Sequence, residues 1–193
     1  AATHAEQSIN QTVPADARGA LEINSTAGEV LISAWDRPEI LISGEVADNE
    51  KLDVKRNGDT VVLHVLNASG ARPAKRESRL EVKMPRTNRL GISTVSADIQ
   101  VGGVTGGQRL QSVSGDITNE MAGADVELRT LSGEIVARGN GGKLHLVLNS
   151  VSGDARIENF SGEVDAQLVS GDVSFDIARL ERGRFTTISG DLR

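Results

Sequence analysis

The chain has 193 residues, of which 38% are hydrophobic, 21 are glycine and only 2% are aromatic. A core must therefore be built from Val, Ile, Leu and Ala, and branched residues of this kind stack well on pleated surfaces, which favours β structure. The lack of cysteine excludes disulfides and thiolate metal sites, and a net charge of −6 with so few stacking rings excludes a nucleic-acid binder.

In chain order, residues 1–12 read as a flexible or extended lead. Leu21-Glu-Ile23 then alternates, and Thr26–Val30 runs into Leu31-Ile-Ser-Ala-Trp35. Ile40–Val46 follows, and further strands are expected at Leu52–Val54, Val61–Val65 and Leu80–Met84. Residues 13–85 are thus expected to form an atypical β-rich capping part, either the first coils of a stack or a small sandwich-like sheet. Asn67–Ser78 reads as an exposed loop. It brings Arg72, Lys75 and Arg76 close to Arg79. A solvated loop is the plain reading of that cluster, and contact with an acidic polymer or lipid headgroup is the alternative.

From residue 86 onward one phrase keeps returning: TVSADI at 94–99, SVSGDI at 112–117, TLSGEI at 130–135, SVSGDA at 150–155, LVSGDV at 168–173 and TISGDL at 187–192. Its acids are Asp98, Asp116, Glu134, Asp154, Asp172 and Asp191, spaced by 18, 18, 20, 18 and 19 residues. A unit this short cannot bury its own apolar side, so copies must stack. The expected fold is all-β: residues 86–193 form a β-solenoid, parallel β-helix-like, of 18–20-residue coils about 4.8 Å apart. Alternation within the phrase places Val113, Gly115 and Ile117 inward and Ser114 and Asp116 outward. The column Val113, Leu131, Val151, Val169 and Ile188 is accordingly expected to line the interior. Leu110, Leu128, Leu148, Ala166 and Phe185, six residues before successive acids, join it. Gly102-Gly103, Gly106-Gly107, Met121–Ala124, Gly139–Gly142, Phe160–Glu163 and Leu180–Gly183 punctuate the bends between short strands. Ala97 replaces the phrase's glycine once, so small size at that slot matters more than a left-handed backbone.

Little in the chain points to chemistry. Six outward acids in a row invite calcium, but calcium wants six to eight oxygens converging on one point, and a ladder offers a line. Ser and Asp side chains that bond to turn backbone are the simpler account. The phrase serines are interchangeable, whereas a nucleophile must be singular. His4, His64 and His145 share no motif, so no metal site and no cofactor is expected. Trp35 is expected to pack at the cap. No catalytic residue is assigned, and binding residues are not identified. No run reaches the 18 apolar residues of a membrane-spanning helix. The final coil is expected to be covered by Arg182, Arg184 and Phe185, by a partner, or by a second copy of the chain.

The repeated SVSGDI, TLSGEI, SVSGDA and LVSGDV phrases resemble those of the bacterial DUF4097 family, whose members carry the label adhesin by fold analogy. The entry to the repeats is similar too: Leu21-Glu-Ile23, Ala27–Val30, Ile32–Asp36 and Val82-Lys-Met-Pro85. The resemblance covers residues 13–193. It implies a solenoid-like protein that is exported or attached to the envelope, with no catalytic residues to carry over. The expected function is a non-enzymatic envelope or secreted scaffold or adhesion-like module, periplasmic or secreted, with an envelope protein or glycan as partner. A cation-dependent assembly module is the alternative, and a polysaccharide-processing enzyme ranks below both.

Overall fold

The structure, a computed structural model, describes residues 7–67, 77–123 and 125–193, and all regular structure among them is β. Sixteen strands form one continuous sheet. Each repeat coil carries two strands separated by a bend. The first strands are β8 (Arg89–Thr94), β10 (Gln108–Ser112), β12 (Asp125–Thr130) and β14 (Leu144–Ser150). The second are β9 (Asp98–Gly102), β11 (Ile117–Met121), β13 (Ile135–Gly139) and the opening of β15 (Ala155–Ser170). First strands pair in parallel with first strands, and second with second. The chain is a β-solenoid with two ladders closing over one core.

The register follows the repeat. Leu110 lies opposite Leu128, Leu128 opposite Leu148, Leu148 opposite Ala166, and Ala166 opposite Phe185. The longest interval places its extra residues in the turn at Asn140–Gly142, outside the ladders, so the rows stay aligned. In the last coils β15 and β16 (Val173–Ser189) stay extended through the second bend, so each serves two coils in succession. Phe160, fully buried, fills that bend. The register shifts there, beside Asn159 at φ 50° and Gly162 at φ 124°.

Residues 13–85 include the first coils. β2 (Ala20–Ser25) and β3 (Glu29–Trp35) make a coil of the same solenoid, with Leu21 opposite Leu90 and Val30 opposite Ile99. β6 (Thr60–Asn67) and β7 (Arg79–Pro85) stack in parallel on its other side. The coil of residues 20–35 therefore sits between one built from residues 60–85 and one built from 89–102. Beyond them β4 (Glu39–Val46) pairs antiparallel with β7, and β5 (Glu50–Asn57) antiparallel with β6. β1 (Gln7–Pro14) lies on β4, from Gln7 opposite Val46 to Pro14 opposite Glu39. Residues 7–12 of the expected lead are thus an extended ladder strand, and residues 1–6 lie outside the described residues. One hydrophobic cluster runs from Ala15 to Val173 through both parts of the chain.

The expected interior column fails. Val113, Leu131, Val151, Val169 and Ile188 do not line the interior; they are 43, 48, 40, 43 and 78% exposed. Alternation counts faces only along a continuous strand, and the phrase is a corner. β10 stops at Ser112 and β11 begins at Ile117. Val113 and Ser114 both face out at the corner, so the inward phase slips by one residue. Ser112, Gly115 and Ile117 face in. The interior column is instead Ile99, Ile117, Ile135, Ala155 and Val173, all buried, facing the row that includes Leu110, Leu128, Leu148 and Ala166. The stacking is as expected, and so are the inward Gly115, Ile117 and Leu110 rows; the aliphatic before the phrase serine is not inside.

Candidate functional site

The corner is where the repeat is most strictly kept, and its geometry shows what each position does. On the inside, the hydroxyl before the exposed aliphatic closes the bend: Ser112 Oγ accepts the Gly115 N–H at 2.8 Å, and Thr130 Oγ1 accepts the Gly133 N–H at 2.9 Å. Ser150 does the same for Gly153 at 3.2 Å. The glycines stack on one another's carbonyls. A Cβ on Gly133 would lie 2.1 Å from the Gly115 oxygen, and one on Gly153 would lie 2.0 Å from the Gly133 oxygen.

The outward polar residues tie one coil to the next. Ser114 Oγ donates to the Val95 carbonyl at 3.2 Å, Ser132 to Val113 at 3.3 Å and Ser152 to Leu131 at 3.0 Å. The acids run a parallel chain of bonds. Asp98 Oδ1 accepts the Asp116 N–H at 2.9 Å, and Asp116 Oδ1 accepts the Glu134 N–H at 2.8 Å. Asp154 accepts from Asp172 at 2.8 Å and Asp172 from Asp191 at 2.9 Å. Glu134, the one Glu in the row, makes no such bond to Asp154 and leaves a single gap in the chain. The acid row is bonded along its length rather than gathered around a point. Among the described residues no three His, Asp or Glu side chains are grouped to hold a metal.

With the serines and acids so engaged, one side chain of the phrase remains outward without a structural bond. Val95, Val113, Leu131, Val151, Val169 and Ile188 form a ridge of six aliphatic residues down one corner, each at least 40% exposed. Five intervals of about 4.8 Å make it ~24 Å long. The exposed acids Asp98, Asp116, Glu134, Asp154 and Asp172 run alongside, with no ion pair to any of them among the described residues; Asp191 is paired with Arg193 at 3.1 Å. The ridge was hidden from sequence reasoning by the parity count. The signal that could have found it is the hydroxyl immediately before it in Thr94, Ser112, Thr130 and Ser150, a residue type suited to closing a turn.

Among the other described candidates, Trp35, Arg79 and His145 have partners within the fold. Trp35 is half-buried, donates from Nε1 to the Glu39 carbonyl at 2.8 Å, and carries the Arg37 guanidinium 5.1 Å above its ring. His64 is exposed, and His145 lies 3.5 Å from Asp125. Arg79 pairs with Glu29 at 2.8 Å and with Glu81 at 3.4 Å; Arg72, Lys75, Arg76 and His4 lie outside the described residues. At the last coil Phe185 packs edge-on against Phe175 at 5.0 Å, and Arg184 reaches Asp165 at 4.0 Å. A shallow hollow of about 500 Å³ on the outer face of the first-strand ladder has Gly91 and Gly107 in its floor and Arg109, Asp125 and Glu127 on its rim. Burial pushes the Glu127 carboxyl up, but Arg109 at 2.7 Å and the adjacent Arg129 outweigh it and hold its pKa below the ordinary value. A general acid needs the opposite shift.

A family model described as Toastrack DUF4097 matches residues 19–193. No curated protein matches the chain. Among solved structures, a candidate cell adhesion protein from Clostridium sporogenes aligns over 98% of this chain and 100% of its own, at 7% identity and a TM-score of 0.47. A candidate adhesin from Bacteroides fragilis aligns over 96% of each chain, at 10% identity and a TM-score of 0.46. A candidate lipid binding protein from Parabacteroides distasonis covers 95% of this chain and 96% of its own, at 16% identity and a TM-score of 0.43.

Proposed function

The chain belongs to the Toastrack DUF4097 family, and from that premise we propose that it is a non-enzymatic contact module of the bacterial envelope, a scaffold or adhesion-like part that holds a partner along its corner ridge. The observation that carries this reading is the ridge itself. All six copies of the phrase keep an aliphatic residue at a position that is 40–78% exposed, while the outward residues on either side of it are mostly polar or charged. Exposed apolar surface that is contiguous, rather than scattered, marks interaction sites. The polar members of the phrase hold the corners together, which leaves the ridge as the surface free to bind. Aliphatic side chains suit a protein partner better than a glycan, because sugar faces are held by aromatic rings. The periplasmic or secreted location is part of the same proposal. Among the described residues no helix is long and apolar enough to cross a membrane.

The experiment is a comparison of the native chain with a Leu131→Ser/Val151→Ser variant in binding to isolated envelope fractions. Circular dichroism checks that both are folded. Saturable binding by the native chain, reduced at least fivefold in the variant, is the expected result. Equal binding by both, or hydrolysis of a glycan panel by the purified chain, would remove the proposal.

A further inference from the structure

The ridge also constrains the shape and charge of what it holds, on the reading of the site just given. We propose that its partner is a cationic amphipathic helix, lying along the solenoid axis with its basic flank over the acid row.

Spacing selects the helix. Ridge side chains recur about every 4.8 Å, the distance between paired strands. Successive turns of an α-helix recur every 5.4 Å, whereas alternate residues of a strand recur every 6.6–6.8 Å. Over five intervals the mismatch reaches about 3 Å for a helix and about 9–10 Å for a strand. A strand laid along the ridge loses step after two contacts. A helix of roughly 16 residues spans the ~24 Å ridge and keeps an apolar stripe on it throughout.

Charge selects the sign and the side. Asp98, Asp116, Glu134, Asp154 and Asp172 are exposed in a row parallel to the ridge, beyond the phrase serines. None is in an ion pair among the described residues, although Arg156 and Arg193 border Glu134, Asp154 and Asp172 at the last coils. In Asp98, Asp116, Asp154 and Asp172 one carboxylate oxygen is bonded to the next coil's backbone, which fixes the group in place and leaves its charge. Neighbours at this spacing repel by about 1 kcal/mol per pair even in bulk water. A row of Lys or Arg relieves that repulsion. On the other side of the ridge stand Ser93, Gln111, Arg129, Asn149 and Gln167, which offer no acidic row. The helix is therefore basic on one flank only. An anionic membrane surface meets the same acids and is repelled.

The test uses a 16-residue peptide with Leu at helical i, i+3/i+4 spacing and Lys on one flank, read by fluorescence anisotropy against the full chain. Controls carry Glu in place of Lys, or Ser in place of Leu. The Lys–Leu peptide is expected to bind saturably and to gain helicity on binding. Leu131→Ser/Val151→Ser is expected to weaken it at least tenfold. Asp116→Asn/Asp154→Asn, which keeps the backbone acceptors, is expected to weaken it severalfold and flatten its salt dependence. Equal binding of the Glu peptide, insensitivity to the ridge substitutions, self-association through the ridge in sedimentation, or binding only to anionic vesicles would overturn the inference. If the ridge variant loses envelope binding while no cationic peptide binds, the helix is wrong and the contact reading survives. If it keeps envelope binding, both fall.

Discussion

Gly133 is tightly constrained at the corner: its φ is ordinary, and only space forbids a side chain. A Cβ there would meet the carbonyl oxygen of Gly115, which is itself fixed by the coil beyond. Gly133→Ala is expected to destabilise by about 1–3 kcal/mol in urea unfolding, the range of forced overpacking. The acid row yields a finer comparison. Asp116→Ala removes the acceptor for the Glu134 N–H and should cost about 1 kcal/mol, whereas Asp116→Asn keeps that acceptor and relieves repulsion. Thermal melts should rank the Asn variant close to the native chain and the Ala variant clearly below it. Inside the solenoid Asn119 is 1% exposed, and neither of its amide atoms has a hydrogen-bond partner. Its neighbours in register are Val101 and Ala137. Asn119→Val removes an unsatisfied polar group from an apolar column and is expected to raise the melting temperature; a fall would show that the amide is needed there.

Among the elements, the first-strand ladder wears its charges as pairs across neighbouring coils. Glu127 on β12 lies between Arg109 and Arg129, and their charges hold its folded pKa below the ordinary 4.5. A depressed carboxylate stabilises the fold above its unfolded pKa, and that stability is lost as pH falls through the folded value. Glu127→Gln is therefore expected to be less stable by up to about 1 kcal/mol at pH 7. The gap should close as pH drops below 4.5, and urea titrations at pH 7 and pH 3 check the sign. The strands themselves were largely legible in the sequence. Leu80–Met84, in strict alternation, falls within β7, and Val61–Val65, rich in β-branched residues, falls within β6. The bends at Phe160 and Leu180, expected to break the chain into separate strands, instead lie inside β15 and β16. A buried Phe160 and local bulges let the backbone turn while it remains paired.

Across the whole molecule, the antiparallel strands β1, β4 and β5 close one end of a parallel stack and share its core. Repeat proteins with weak links between units unfold in stages. Here a single cluster joins Ala15 to Val173, and each described corner is bonded to the one before it. Scanning calorimetry is expected to show one transition, with the calorimetric enthalpy equal to the van't Hoff enthalpy. Two resolved transitions would mean that the segment before residue 86 melts separately from the repeats.

The interval between acids, 18 to 20 residues, determined that coils stack and in what register, because a short apolar unit has no other way to bury its face. The same reasoning could not give the order of coils before residue 86. Nothing local tells Leu21 that it will lie against Leu90 on one side and Val61 on the other. Nor could it give the direction of Val113. Side-chain parity is a property of continuous strand, and only the folded corner shows where the strand stops. Tertiary structure turned the presumed interior column outward, and with it moved the functional question from the acids to the aliphatic ridge beside them.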